Sequence, residues 1–132
     1  MPQTDREYRW LNGLISHEME SWFAREPLPA ISFPAIQSVT APPSNENIKK
    51  NSFYVVSHAK APRWILFQCP CGCGEVVTLS MQRVHRPRWY LRTSRNHRPN
   101  LQPSVWRDVG CMSHFCINDG RVFWCANTGR PP

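Results

Sequence analysis

The stretch FQCPCGCGEVVTLS, Phe67 to Ser80, places three cysteines within five residues between two runs that alternate like β-strands. Gln68 and Cys69 end an apolar run, and Glu75 opens the next. The cysteines therefore fall at the tip of a predicted hairpin. Gly72 and Gly74 allow the tight backbone turns that such a tip needs. Cys-Pro-Cys-Gly-Cys-Gly is a poor way to fill a core but a good way to present thiolates to a metal.

A second cluster lies forty residues on, in GCMSHFC, Gly110 to Cys116. Cys111 and His114 precede a run HFCI, the turn Asn118-Asp119-Gly120 and a run RVFWC. Apolar runs parted by such a turn are a hairpin signal. Two hairpin tips brought together would offer sulfur and nitrogen ligands from two loops, as in zinc knuckles. Five candidate ligands compete for four tetrahedral positions. One solution takes Cys69, Cys71, Cys73 and Cys111 and leaves His114 free. The other takes two of the first three cysteines with Cys111 and His114. Cys116 and Cys125 sit inside the last hairpin and read as core thiols.

Outward from these clusters the chain reads as mainly β. SFYVVSH, RWILFQC, EVVTLSM, RWYLRTS and NLQPSVW are short β-branched and aromatic runs separated by turn residues. The expected fold is a small antiparallel β domain, zinc-stapled, Rieske-like or rubredoxin-like, spanning residues 51–132. One N-terminal α-helix is expected over residues 5–24. Thr4 and Glu7 form a capping-box pattern there, and Trp10, Leu11, Leu14, Ile15, Met19, Trp22 and Phe23 recur at helical spacing. Pro27 and Pro29 end it. Residues 27–50 hold five prolines and read as a loop or linker, so that residues 1–50 form a helix and linker within a single globular unit.

The chain has 132 residues, 41% apolar content, thirteen prolines and a formal charge of +7, with arginine far exceeding lysine. One domain with a modest core fits that length, and a metal staple would supplement it. The start MPQTDREYRW is not a secretory signal, and no run approaches the ~20 apolar residues of a membrane span. A cytoplasmic protein with reduced thiols is expected. Clustered cysteines there favour metal over disulfides.

Cys111-x-x-His114 also has the form of half a Rieske site. The first loop departs from that pattern, because Cys71-x-Cys73 offers no histidine and a Rieske cluster needs two on one iron. A structural zinc therefore suits the site better than an iron–sulfur cluster. A catalytic zinc is disfavoured, since sulfur-rich closed sites rarely keep a position open for water, and His-Glu-x-x-His is absent.

FQCPCGCGEVVTLS, RPRWYL, LQPSVW and GCMSHFCINDGRVFWC, in that order, resemble a bacterial family listed as a domain of unknown function. It occurs in operons encoding ubiquitin-like proteins with E1-like and E2-like enzymes. The resemblance covers roughly residues 52–126. It implies a part in ubiquitin-like conjugation, with the ubiquitin-like protein and its E1/E2-like machinery as partners. It further implies a serine-type peptidase that trims a precursor or removes the modifier, in the manner of a deubiquitinase.

The residues can supply such an enzyme. A serine nucleophile needs a base within hydrogen-bond reach and a group that orients the base. If four cysteines take the metal, His114 remains available as base. Ser104 is preferred to Ser113 as nucleophile, because side chains adjacent on a strand point to opposite faces. Glu75 is the candidate orienter. The plainer readings are a loop serine, a metal-ligating histidine and an exposed edge carboxylate.

The segment Arg83 to Pro99 holds six arginines and two histidines around Trp89 and Tyr90. Nucleic acid is a possible partner through Arg83–Arg98. The plainer reading is a strand with Trp89 and Leu91 inward and Arg88, Tyr90 and Arg92 outward. The functional alternative to a peptidase is a non-catalytic zinc module that binds a conjugation partner or nucleic acid.

Overall fold

The computed structural model describes residues 28–126 and Thr128. The helix expected over residues 5–24 lies outside the described residues. Eight strands follow: β1 (Gln37–Val39), β2 (Phe53–His58), β3 (Ala61–Gln68), β4 (Val76–Ser80), β5 (Tyr90–Thr93), β6 (Pro99–Trp106), β7 (His114–Asn118) and β8 (Arg121–Trp124). They form two four-stranded sheets, ordered β1-β2-β3-β4 and β5-β6-β7-β8.

Turn chemistry sets the hairpins. β2 and β3 are joined by Ala59 and Lys60, both at positive φ, as a two-residue hairpin loop with the twist of its strands requires. Asp119 and Gly120 do the same between β7 and β8. Gly120 has a second constraint: a Cβ there would lie 2.2 Å from the Phe33 carbonyl oxygen. That carbonyl belongs to the strap whose Ser32 and Phe33 N–H groups both donate to the Gly120 carbonyl.

Alternation places the core. Phe53, Val55, Ile65 and Phe67 of the first sheet share one buried cluster with Leu101, Val105, Phe115 and Ile117 of the second. The Phe67 and Phe115 rings meet edge to face across it at 6.2 Å. The opposite face of β3 is also covered: Leu66 packs with Val56 and Ile48. Deleting a side chain such as Phe115 would cost about 3–5 kcal/mol.

The mainly β fold follows the expectation, and two features go beyond it. The fold is not wholly antiparallel, because β1 pairs in parallel with β2, with Gln37 opposite Tyr54. Nor is the proline-rich stretch only a linker. Phe33 is buried to 1% in the core and Ile48 to 2% in the second cluster. An extended, proline-spaced strap wraps the domain because it carries a large apolar residue at each crossing. The strand β5 follows the reading given above: Trp89 and Leu91 pack against the core, while Arg88 lies 4.5 Å over the Tyr90 ring.

β6 positions the site. Leu101 pairs with Ile117, and the next pair on that ladder is Val105 with Phe115. Four residue steps on β6 thus match two on β7, and Gln102, Pro103 and Ser104 bow out opposite Cys116. Pro103 has no N–H to give a regular ladder, and its peptide bond to Gln102 is cis. Bulges of this kind re-aim side chains.

Candidate active site and metal centre

Cys69 closes its own loop: its N–H donates to the Glu75 carbonyl at 2.8 Å. Gly72 and Gly74, with φ of 91° and 84°, turn the loop so that Cys69, Cys71 and Cys73 face one point. Cys111 comes from the tip before β7. The four Sγ atoms all lie within 4.8 Å of one another. Cys69 is 3.4 Å from Cys71 and 3.8 Å from Cys111. Four thiolates ~2.3 Å from a tetrahedral zinc would stand about 3.8 Å apart, so this set fits a closed metal site. His114 is not among the four. Cys116 and Cys125 are buried away from it, as their place in the last hairpin suggested.

The electrostatics suit a cation. Burial pushes the Cys69 thiol up to about 12. At Cys71 burial acts in the same sense, yet hydrogen bonds from Ser113 and the Cys73 backbone bring it down to about 7. A metal supplies the charge that lets all four sulfurs ionise together. The Arg107 guanidinium stands near the Cys69 sulfur, and the pair favours the cation there. It offsets part of the negative charge of a tetrathiolate site.

Beside this cluster, Ser104 Oγ lies 2.9 Å from His114 Nε2. The serine comes from the bulge of β6 and the histidine from the first residue of β7. His114 is fully buried, and Ser104 is half-buried. Trp106 and His114 are direct cross-strand partners, and their rings stack at 4.4 Å with 3° between planes. The His114 carbonyl accepts from the Cys125 N–H at 2.9 Å and from the Thr128 hydroxyl at 2.6 Å. The ring is thus stacked on Trp106 while its backbone is tied to Cys125 and Thr128.

Ser113, the other candidate nucleophile, is buried to 1% and turns toward the sulfurs, 3.9 Å from Cys69 Sγ. Met112 and Gly110 stand at positive φ just before it, which sets Ser113 and His114 to opposite sides.

Glu75 does not meet the imidazole as expected of an orienter. Its Oε2 accepts from Arg107 at 3.1 Å, and its Oε1 would lie 2.9 Å from a Cβ at Gly110. The physical reason is a nearer cation. Arg107 stands between the thiolates and the carboxylate, and its N–H also donates to the Ser113 carbonyl at 2.8 Å. One arginine thus touches the cysteine loop, Glu75 and the backbone beside the histidine. Neither Arg107 nor Trp106 was evident from sequence, because their roles depend on which strands pair.

The arginine-rich segment is largely committed within the protein. Arg86 donates to the Arg83 and His85 carbonyls, Arg88 covers Tyr90, and Arg98 pairs with Asp119 at 2.8 Å. Arg83, Arg92 and Arg95 remain exposed. Among the described residues no helix is long and apolar enough to cross a membrane.

A family model described as "Bacterial ubiquitination-like system serine protease (BubE)" matches residues 39–125. The chain belongs to the BubE family. The matched span holds the four clustered cysteines, Arg107, Ser104 and His114, and it begins within β1, ahead of the motifs that carried the resemblance. BubE proteins are serine proteases of bacterial ubiquitination-like systems by that description. No curated protein and no solved structure matches the chain.

Proposed function

We propose that this protein is a serine peptidase that processes or deconjugates a bacterial ubiquitin-like protein. The hydrogen bond between Ser104 Oγ and His114 Nε2 carries the reading. In the tautomer with Nδ1 protonated, Nε2 accepts the serine proton as Oγ attacks the carbonyl carbon of the modifier's last residue. The imidazolium then gives that proton to the departing amine, leaving an ester on Ser104. Water, deprotonated in turn by His114, hydrolyses the ester and restores the serine.

In this reading Cys69, Cys71, Cys73 and Cys111 hold a structural zinc, which clamps the loop after β3 to the loop before β7. Glu75 acts through Arg107, steadying the turn that delivers His114. The partners are the modifier and its E1/E2-like enzymes, and the compartment is a thiol-reducing cytoplasm.

The test uses a tail-extended ubiquitin-like substrate. Wild type should cleave it, while Ser104→Ala and His114→Ala should not, with full metal content in both. Metal lost from His114→Ala would move that residue to the metal and sink the proposed base.

A further inference from the structure

At the end of the second sheet away from the cysteines lies an open cleft of about 500 Å³. Arg92 and Arg95 of the β5–β6 hairpin and Arg121 of β8 line it, with Asn96, Asn118 and Asp119. Its one carboxylate among the described residues is already engaged. Asp119 accepts from Arg98 at 2.8 and 3.1 Å, from the Ser94 hydroxyl at 2.6 Å and from the Asn96 amide at 3.2 Å. Burial opposes ionisation there, but Arg98, Ser94 and Asn96 hold the carboxyl below its ordinary value.

Arg98 is thereby consumed, whereas Arg92 and Arg95 are exposed and pair with no carboxylate among the described residues. Arg121 spends one nitrogen on the Pro29 carbonyl and stands 4.0 Å from Asp119. The cleft is cationic, and its walls are tied down by the Asp119 network rather than loose.

We infer that this cleft binds an acidic segment of the polypeptide substrate, an inference that rests on the peptidase reading for its choice of partner. Three observations favour a peptide over nucleic acid. The positive charge forms a spot rather than a stripe. Of the segment's other arginines, Arg88 covers Tyr90 and Arg98 pairs with Asp119, while Arg83 and Arg86 lie outside the cleft lining. The volume suits a few side chains, within the ~300–1,000 Å³ range of small-ligand sites. Asn100, at the cleft, and Ser104 are on the same strand, four residues and at most about 13 Å apart. Carboxylates a few residues from the scissile bond, or on the modifier's adjoining surface, would reach the arginines as bidentate acceptors.

The experiment measures binding to the full-length Ser104→Ala protein, so cleavage is not needed. Fluorescent eight-residue peptides rich in Asp and Glu, neutral, or rich in Lys are titrated, together with a single-stranded oligonucleotide of matching charge. The acidic peptide should bind, and added salt should weaken it. Arg92→Glu with Arg95→Glu should weaken it at least tenfold, whereas Lys49→Glu with Lys50→Glu, the same change in net charge elsewhere, should leave it within twofold. No acidic-peptide binding, an equal loss in the lysine variant, or tighter binding of the oligonucleotide would overturn the inference. Failure of wild type to cleave any modifier, with peptide binding intact, counts against the peptidase alone.

Discussion

Among the described residues two serine–histidine pairs stand out, one associated with each sheet. Ser80 Oγ lies 2.5 Å from His85 Nδ1, closer than Ser104 Oγ lies to His114 Nε2 at 2.9 Å. Distance alone does not separate a candidate catalytic pair from a serine that closes a turn. Ser80 and His85 are five residues apart in one loop, and the same hydroxyl accepts the Gln82 N–H at 3.1 Å. That is a serine closing a turn. His85 is tilted against Trp64 by 42°, with ring centres 5.5 Å apart. Ser104 and His114 instead bridge two strands, and the imidazole is buried and stacked on Trp106. A reactive pair needs its geometry imposed by groups that do not themselves react.

The sharpest way to break the comparison is to truncate both serines. Ser104→Ala should lower kcat/KM on a ubiquitin-like substrate by at least about 10³-fold, whereas Ser80→Ala should change it less than about threefold. Equal effects in steady-state kinetics would erase the distinction.

Metal removal tests whether the second pair depends on its neighbours. A chelator strong enough to strip zinc, or Cys69→Ser, should lower the melting temperature by more than ~10 °C and abolish cleavage. Cys116→Ala and Cys125→Ala should keep stoichiometric metal by elemental analysis. The thiol of Cys69, raised to about 12, must lose its proton on binding. Apparent metal affinity in chelator competition should therefore rise with pH.

Trp106→Ala leaves both reacting groups in place but removes the ring beneath His114. A fall in kcat of about tenfold is expected, with Ser104 still slowly labelled by a serine-directed phosphonate. The equivalent change beneath the first pair, Trp64→Ala, should affect stability without this selective loss of kcat.

The smallest effect concerns the far end of the sheet. Asp119 has a depressed folded pKa, so its contribution to stability is present above the unfolded carboxylate range near pH 4 and is lost as pH falls through the folded value. Asp119→Asn should cost about 1–2 kcal/mol at pH 7 in urea unfolding, and the gap should close below about pH 3.

Much of this was legible in sequence where the signal is local. The Asp119-Gly120 hairpin, the alternation through Ile65 and Phe67, and the cysteine tip all depend on near neighbours. What escaped depends on pairing. β1 is three residues long, mostly exposed and flanked by prolines, and its parallel partner lies about fifteen residues on. Glu75 was read toward His114 because both flank the cysteine clusters. The nearer charge, Arg107, is 32 residues away and enters only once β6 stands beside the metal loop. Ser104 and His114 were each visible as chemistry, but their meeting required the bow in β6.

The surplus on β6 is two residues, an even number. Leu101 before it and Val105 after it both remain on the core side. Gln102, though out of step with β7, still pairs with Tyr90 of β5 and is itself buried. The candidate serine therefore sits on an excursion that keeps Leu101 and Val105 in phase with the interior, so one irregularity of the strand serves both the proposed site and the packing beside it.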